Sequence, residues 1–180
     1  MSTDELLDEE RQRAEPEPTP PGPERLYQHL IRTPIGKSNP RPAICVNPHT
    51  SVADAIALMK QHAMGCVLVE ADRRLVGIFT ERDVLFRVVS GKLDPEGTPV
   101  SRVMTPDPET LTMEDELAWV LNLMAVGGFR HVPIVDDQAR PVAVLSVKDI
   151  VERLVEFFPN EVLNLPPYPG KNIAHTREGA

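Results

Sequence analysis

Displaced by 66 residues, the chain lies on itself without a gap: "CVLVEADRRLVGIFTERD" (Cys66 to Asp83) falls on "VPIVDDQARPVAVLSVKD" (Val132 to Asp149). A repeat of this kind means that one supersecondary unit is built twice, and that each copy needs the other to bury its apolar face. Each copy reads as an apolar run, a short polar connection rich in Asp and Arg, and a second apolar run, which is the pattern of a two-stranded hairpin. Upstream, Val52, Ala55, Ile56 and Met59 recur at helical spacing, as do Leu117, Val120, Leu121 and Met124 in the second copy. Short extended segments precede these helices, "AICV" at Ala43 to Val46 and "TLT" at Thr110 to Thr112. After each hairpin another helix begins, near Glu81 or Val147.

The unit is therefore strand, helix, strand, strand, helix in about 60 residues, a size that buries only ~60% of its unfolded surface. Two copies are expected to pack their sheets into one core, giving an α+β fold of two β-α-β-β-α units. The expected boundaries are an acidic, Pro-rich tail and lead-in at 1–39, a first unit at 40–90, a linker at 91–108, a second unit at 109–158 and a Pro-rich C-terminal arm at 159–180. "GKLDPEGTPVSRVMTPDP" (Gly91 to Pro108) reads as linker from its four prolines and two glycines, with at most one helical turn near Val100 to Met104.

The formal net charge of -8 comes mostly from residues 1 to 24, where eight acidic side chains face only Arg11 and Arg13. With five prolines between Pro16 and Pro23, that segment is expected to be a solvated tail. No basic stripe suited to neutralising phosphates is present, which argues against nucleic-acid binding. No run approaches the ~18 apolar residues of a membrane span, and "MSTDELLDEE" lacks the basic flank and apolar run of a secretion signal, so no membrane partner and a cytoplasmic location are expected. Cys45 and Cys66 make no disulfide framework and are read as small apolar residues. No Cys or His cluster has metal-ligand spacing.

A Ser or Thr followed three residues later by Asp occurs at Ser51 to Asp54, Thr80 to Asp83, Thr112 to Asp115 and Ser146 to Asp149. Each can begin a helix, the hydroxyl and carboxylate satisfying orphan N–H groups for ~1 kcal/mol. The first and third are read as helix caps. The second and fourth follow directly on a strand, so their helix starts lie at the carboxyl end of a sheet, where crevices open. A carboxylate there can accept both hydroxyls of a cis-diol, and ribose is the obvious one. Capping and diol binding both remain open for Asp83 and Asp149 on these grounds.

The repeat unit, its period and "GIFTERD" closing the first hairpin resemble a tandem pair of cystathionine-beta-synthase (CBS) domains, the Bateman module, from about Pro40 to Phe158. "VMTPDPETL" before the second unit and "RHVPIVD" at its middle strand are similar too. The resemblance implies two units packed as a pseudo-twofold pair, with adenosine-containing ligands (AMP, ADP, ATP or S-adenosylmethionine) in clefts between them and no obligatory cofactor. It assigns ribose binding to Asp83 with Thr80 and to Asp149 with Ser146. It places Val46, Cys66, Val67, Leu111, Val132 and Pro133 beside the adenine ring, positions equally suited to plain core packing. Two departures stand out: "GKSNPRPAICV" lacks the usual Met-Thr lead-in, and Ala143 replaces the motif's Gly, so a tighter backbone approach to a ligand is expected there.

The five histidines (29, 49, 62, 131 and 175) are scattered, with His49 and His62 read as solvated, and no nucleophile–base pair or phosphate loop appears. The expected function is thus a regulatory sensor without catalysis, acting on a separate regulated protein. The alternative is an interaction scaffold with vestigial sites. Basic residues at the start of the middle strand contact phosphates in the family, so Arg130 and His131 are expected to make the Ser146/Asp149 cleft the better phosphate site. Phosphate affinity should then rise modestly toward pH 6. A second apolar stripe of Trp119, Leu123 and Val126 on the helix of Leu117 suggests a homodimer, as the family commonly forms through these helices. "FFPNEVLNLPPYPG" is expected to dock as an arm.

Overall fold

The computed structural model describes residues 31–156. The acidic tail up to residue 30 and the C-terminal arm lie outside the described residues. The elements are β1 (Arg41–Pro42), β2 (Cys45–Val46), α1 (Val52–Gln61), β3 (Cys66–Ala71), β4 (Arg74–Thr80), α2 (Glu81–Asp83), β5 (Thr105–Pro106), α3 (Leu117–Ala125), β6 (His131–Val135), β7 (Pro141–Ser146) and α4 (Val147–Val155). α2 widens directly into π-helical turns at Val84–Val89, and 3-10 turns occupy Ile35–Ser38 and Val100–Arg102.

Each hairpin forms where the two apolar runs flank a polar turn. β3 and β4 pair antiparallel, with Cys66 opposite Thr80 and Leu68 opposite Ile78; β6 and β7 repeat this with His131 opposite Ser146. The first turn is made by Asp72 and Arg73, both at positive φ, the geometry that matches the twist of the strands it joins. The runs are nearly continuous rather than alternating because both faces of each sheet are covered. Val67, Val69 and Phe79 pack with Val52, Ala55 and Met59 of α1, while Cys66, Leu68 and Ile78 turn to the opposite face and meet Val144 of the second unit. Val132, Ile134, Ala143 and Leu145 build the second unit's own core with Leu117 and Val120. The seam around Leu68 and Val144 joins the two units into the α+β pair.

The pairing also exchanges strands between units. β1, at the start of the first repeat, adds to β7, and β5, at the start of the second, adds to β4, giving sheets ordered β1-β7-β6 and β2-β3-β4-β5. Ile35 is accordingly buried in the second unit's core, and Val100 and Val103 of the connecting segment in the first. The segment 91–108 thus contributes core residues as well as length.

Several local expectations are corrected. The strand expected at Thr110–Thr112 shrinks to one residue, Leu111, bridged parallel to Ile134 by hydrogen bonds from its N–H to the Pro133 carbonyl (3.1 Å) and from the Val135 N–H to its own carbonyl (2.8 Å). Thr112 and Asp115 do not cap α3. The Asp115 carboxylate accepts from the Thr112 N–H (2.7 Å) and hydroxyl (2.9 Å) in a separate turn, and α3 starts two residues later behind Glu116, which gives no side-chain cap. Cys45 is exposed, because only β2's single buried residue, Val46, faces the core; Cys66 is buried as expected. Leu123 does not share the free face of Trp119 and packs against the second core. Ser51 caps α1, accepting from the Asp54 N–H at 3.0 Å, and His49 and His62 are exposed.

The motif glycine has a packing role. A methyl on Gly77 would overlap the Met104 side chain, whose sulfur lies against the Cα. Since Gly77 does not have positive φ, the cost of a side chain there is steric rather than conformational. In the second repeat the matching positions hold Ala143, 1% exposed, and in the lead-in Pro40, which is smaller than Met. Because the methyl meets only the flexible Met104 side chain, Gly77→Ala is expected to destabilise the protein by about 1 kcal/mol through displacement of Met104, a fall of a few degrees in a thermal melt. An unchanged melt would show that Met104 is not seated on Gly77.

Candidate functional site

The loop after β4 begins a helix at the carboxyl end of the first sheet, and here Thr80 and Asp83 close a full capping box. Asp83 Oδ2 accepts from the Thr80 N–H (2.9 Å) and hydroxyl (2.8 Å), and the Asp83 N–H donates to Thr80 Oγ1 (3.4 Å). Asp83 is only 7% exposed. Its second oxygen, Oδ1, lies 3.4 Å from Arg87 Nη1, one turn along the helix; that guanidinium is itself held by the carbonyls of Val103 (2.8 Å) and Met104. Ser146 and Asp149 repeat the box at α4, with the Ser146 N–H and hydroxyl donating to Asp149 Oδ2 at 2.7 and 2.6 Å. Capping and ligand binding do not exclude one another in this geometry: Oδ2 serves the cap, and Oδ1 is engaged only by a guanidinium, Arg87 at Asp83 and Arg41 at Asp149.

A cleft of about 330 Å³ opens beside Asp83 between the two units. That is within the ~300–1,000 Å³ range of small-molecule sites. The first unit lines it with Ile78, Thr80, Glu81, Arg82, Asp83, Phe86 and Arg87, and the second repeat with Phe129, Arg130, His131, Val132 and Pro133; Thr105, Pro108 and Glu109 close it from the connecting segment. Three carboxylates (Glu81, Asp83 and Glu109), three arginines and two phenylalanine rings thus face one cavity. Such a set can accept a diol, offer fork-shaped donors to an anion, and cover a flat apolar ring.

Of the residues singled out from sequence, Thr80, Asp83, Arg130, His131, Val132 and Pro133 line this cleft. Ser146 and Asp149 lie at the other helix start. Val46 and Val67 are packed in the first core, Leu111 against the second, and Cys66 in the seam between units. The expectation that Arg130 and His131 serve the Asp149 cleft is corrected. β6 and β7 belong to one unit, but the start of β6 faces the other, so Arg130 and His131 join the cleft of Asp83. Asp149 is instead engaged by Arg41, whose Nε donates to Oδ1 at 3.0 Å. Sequence reasoning missed Arg82, Arg87, Phe86, Thr105, Phe129 and Glu109. Arg82 and Arg87 were the legible ones, lying one before and four after the motif Asp.

His131 sits on Gly65, where a Cβ would come within 2.7 Å of its Nε2, and it is flanked by Glu81. Burial pushes its pKa below the ordinary 6.5; Glu81 and Asp149 oppose the shift, while Arg130 and Arg82 add to it. His131 is therefore neutral at pH 7, and any gain in phosphate affinity from its protonation starts at lower pH than for a free imidazole. The folded state binds this proton less readily than the unfolded chain. Its contribution to stability is thus complete above the unfolded value, near 6.5, and is lost as pH falls below it, with a slope of at most ~1.4 kcal/mol per pH unit. Thermal melts from pH 7.5 to 5.5 should show this decline in the wild type and a shallower one in His131→Gln. Parallel declines would assign the slope to other groups. The Cys66 thiol, desolvated and close to Glu81 and Asp149, is pushed up to about 12 and is no nucleophile.

Among the described residues no helix is long and apolar enough to cross a membrane. Residues 39–90 and 100–156 each match the family model "CBS domain", together more than half of the chain. The chain is 32% identical over 137 residues to the CBS domain-containing protein CBSCBSPB3 of Arabidopsis thaliana, covering 76% of this chain and 24% of that protein. Across the curated relatives compared, the chain spans 14% to 66% of their length. Among solved structures it resembles an uncharacterized conserved protein from Pyrococcus horikoshii (30% identity, TM-score 0.63, covering 69% of this chain and 93% of that one). It also resembles CBSX2 in complex with AMP (25% identity, TM-score 0.59, covering 69% and 98%). With a tandem repeat, the exchanged edge strands and two capped helix starts facing the seam, the chain belongs to the CBS-domain family as a tandem pair.

Proposed function

We propose that the chain is a regulatory module without catalytic activity, which binds an adenosine-containing nucleotide in the Asp83 cleft and acts on a separate protein. The observation that carries this reading is the meeting, across the two units, of the buried Asp83 with Arg82, Arg130 and the Phe86 and Phe129 rings. In this reading Asp83 Oδ1 accepts the ribose hydroxyls, the aromatic and apolar walls cover the adenine, and Arg130 with Arg82 holds phosphate. The AMP complex of the similar CBSX2 supports that ligand class. A cytoplasmic location is part of the same reading.

A homodimer is part of it too. On α3, Leu117 and Val120 are buried while Trp119 on the opposite face is 57% exposed, and Val126 just beyond is 80% exposed. Leu85, Phe86 and Val89 on the π-helical turns are also exposed, which adds apolar surface of the kind that marks interfaces.

Thermal shift with AMP, ADP, ATP, S-adenosylmethionine and NAD tests the ligand class. A ligand specific for the folded state adds ~2.7 kcal/mol at 100 times its dissociation constant. A melt unmoved by all five would refute the proposal.

A further inference from the structure

Arg41 stands where a ligand of the second cleft would be expected. It is the counterpart of Thr105: Arg41 pairs with Val144 on β7 as Thr105 pairs with Ile78 on β4, and Val144 and Ile78 are one repeat apart. Thr105 lines the open cleft with a short side chain. Arg41, in contrast, reaches the carboxylate; the guanidinium beside Asp83 Oδ1 is Arg87, one turn along the same helix at 3.4 Å and held by the carbonyls of Val103 and Met104. Arg41 Nε lies 3.0 Å from Asp149 Oδ1, and its Nη1 lies 3.5 Å from the Ala63 carbonyl, so the Arg41 guanidinium bridges the two units. Asp149 Oδ2 is committed to the cap, which leaves Oδ1 as the oxygen a diol would take.

We infer that Arg41 is a built-in occupant of the second cleft, which limits the chain to one nucleotide and leaves behind it a latent nucleoside site on Ser146 and Asp149. The inference rests on the reading that the Asp83 cleft takes an adenosine compound. The missing Met-Thr lead-in of the first repeat then acquires a function, because Arg occupies the place of the lead-in Thr. Where the open cleft has Arg130 and His131, the second has Met64 and Gly65. Neither of those positions carries charge, His131 over Gly65 is neutral at pH 7, and Lys60 is the cation that lines the neighbouring pocket. The latent site should therefore accept an uncharged nucleoside and gain only modestly from a phosphate.

Calorimetry of the full chain with adenosine and with AMP tests this. One adenosine per chain is expected for the wild type and two for Arg41→Thr and for Arg41→Ala. AMP should show no more than a few-fold advantage over adenosine at the new site, and adding Asp149→Ala to Arg41→Thr should return the count to one. Arg41 is half-exposed on a two-residue edge strand. Circular dichroism melts of both variants confirm that the fold is retained. Two sites in the wild type, or no added site in either Arg41 variant, would overturn the inference. A wild type that binds nothing, with Arg41→Thr gaining one Asp149-dependent site, would discard the Asp83 reading and leave this inference standing. Silence from all of them discards both.

Discussion

Asp83→Ala is expected to weaken AMP binding by about 100-fold or more while leaving the protein folded. The carboxylate is nearly buried at the floor of the cleft, and its Oδ1 is the acceptor available to two ribose hydroxyls. Hydrogen bonds to a charged group contribute ~1.5–3 kcal/mol each, so losing two of them costs at least two decades in affinity. The same substitution removes the cap on α2, an additional ~1 kcal/mol of stability. It also strips Arg87 of its ion pair, though the Val103 and Met104 carbonyls still hold the guanidinium. Asp149→Ala separates the two roles of these carboxylates. It removes an equivalent cap and frees Arg41, but should leave AMP affinity within a few-fold of the wild type. Calorimetry on both variants decides: loss in Asp149→Ala with retention in Asp83→Ala would place the nucleotide in the other cleft.

Trp119→Glu is expected to convert a dimer into a monomer at micromolar concentration. An aromatic residue at the centre of an interface commonly contributes 2 kcal/mol or more, which is about 30-fold in dissociation constant, and a buried unpaired carboxylate adds its own desolvation cost. A specific dimer needs roughly 1,200–2,000 Å² of buried surface, more than one helix face supplies. The exposed Leu85, Phe86 and Val89 are expected to contribute the rest. Because Phe86 also lines the nucleotide cleft, occupancy of the cleft and the dimer contact would share a residue. Light scattering should report half the wild-type mass, with the far-ultraviolet circular dichroism spectrum unchanged because Leu117 and Val120 still fill the core. A variant that stays dimeric would move the interface elsewhere.

What the sequence determined by itself is everything whose cause is local. The hairpins at 66–80 and 131–146 follow from two apolar runs around a polar turn, α1 from the spacing of Val52, Ala55 and Met59, and both capping boxes from a hydroxyl and a carboxylate three residues apart. The 66-residue repeat carried the pairing of units as well, since neither copy can cover both faces of its own sheet. Where a local signal was ambiguous it failed: Thr112 and Asp115 have the spacing of a cap but close on each other in a turn, and the helix starts beyond them at the buried Leu117. Only the tertiary structure decided what meets across the seam. β1 and β5 exchange between units, Arg130 and His131 cross to Asp83, and Arg41 reaches Asp149 from 108 residues away. No periodicity encodes these contacts, since they depend on which sheet edges close together once both cores are packed. That closure leaves Asp83 at the floor of an open cleft, paired only within its own helix to Arg87, and draws its repeat-mate Asp149 into an ion pair with Arg41.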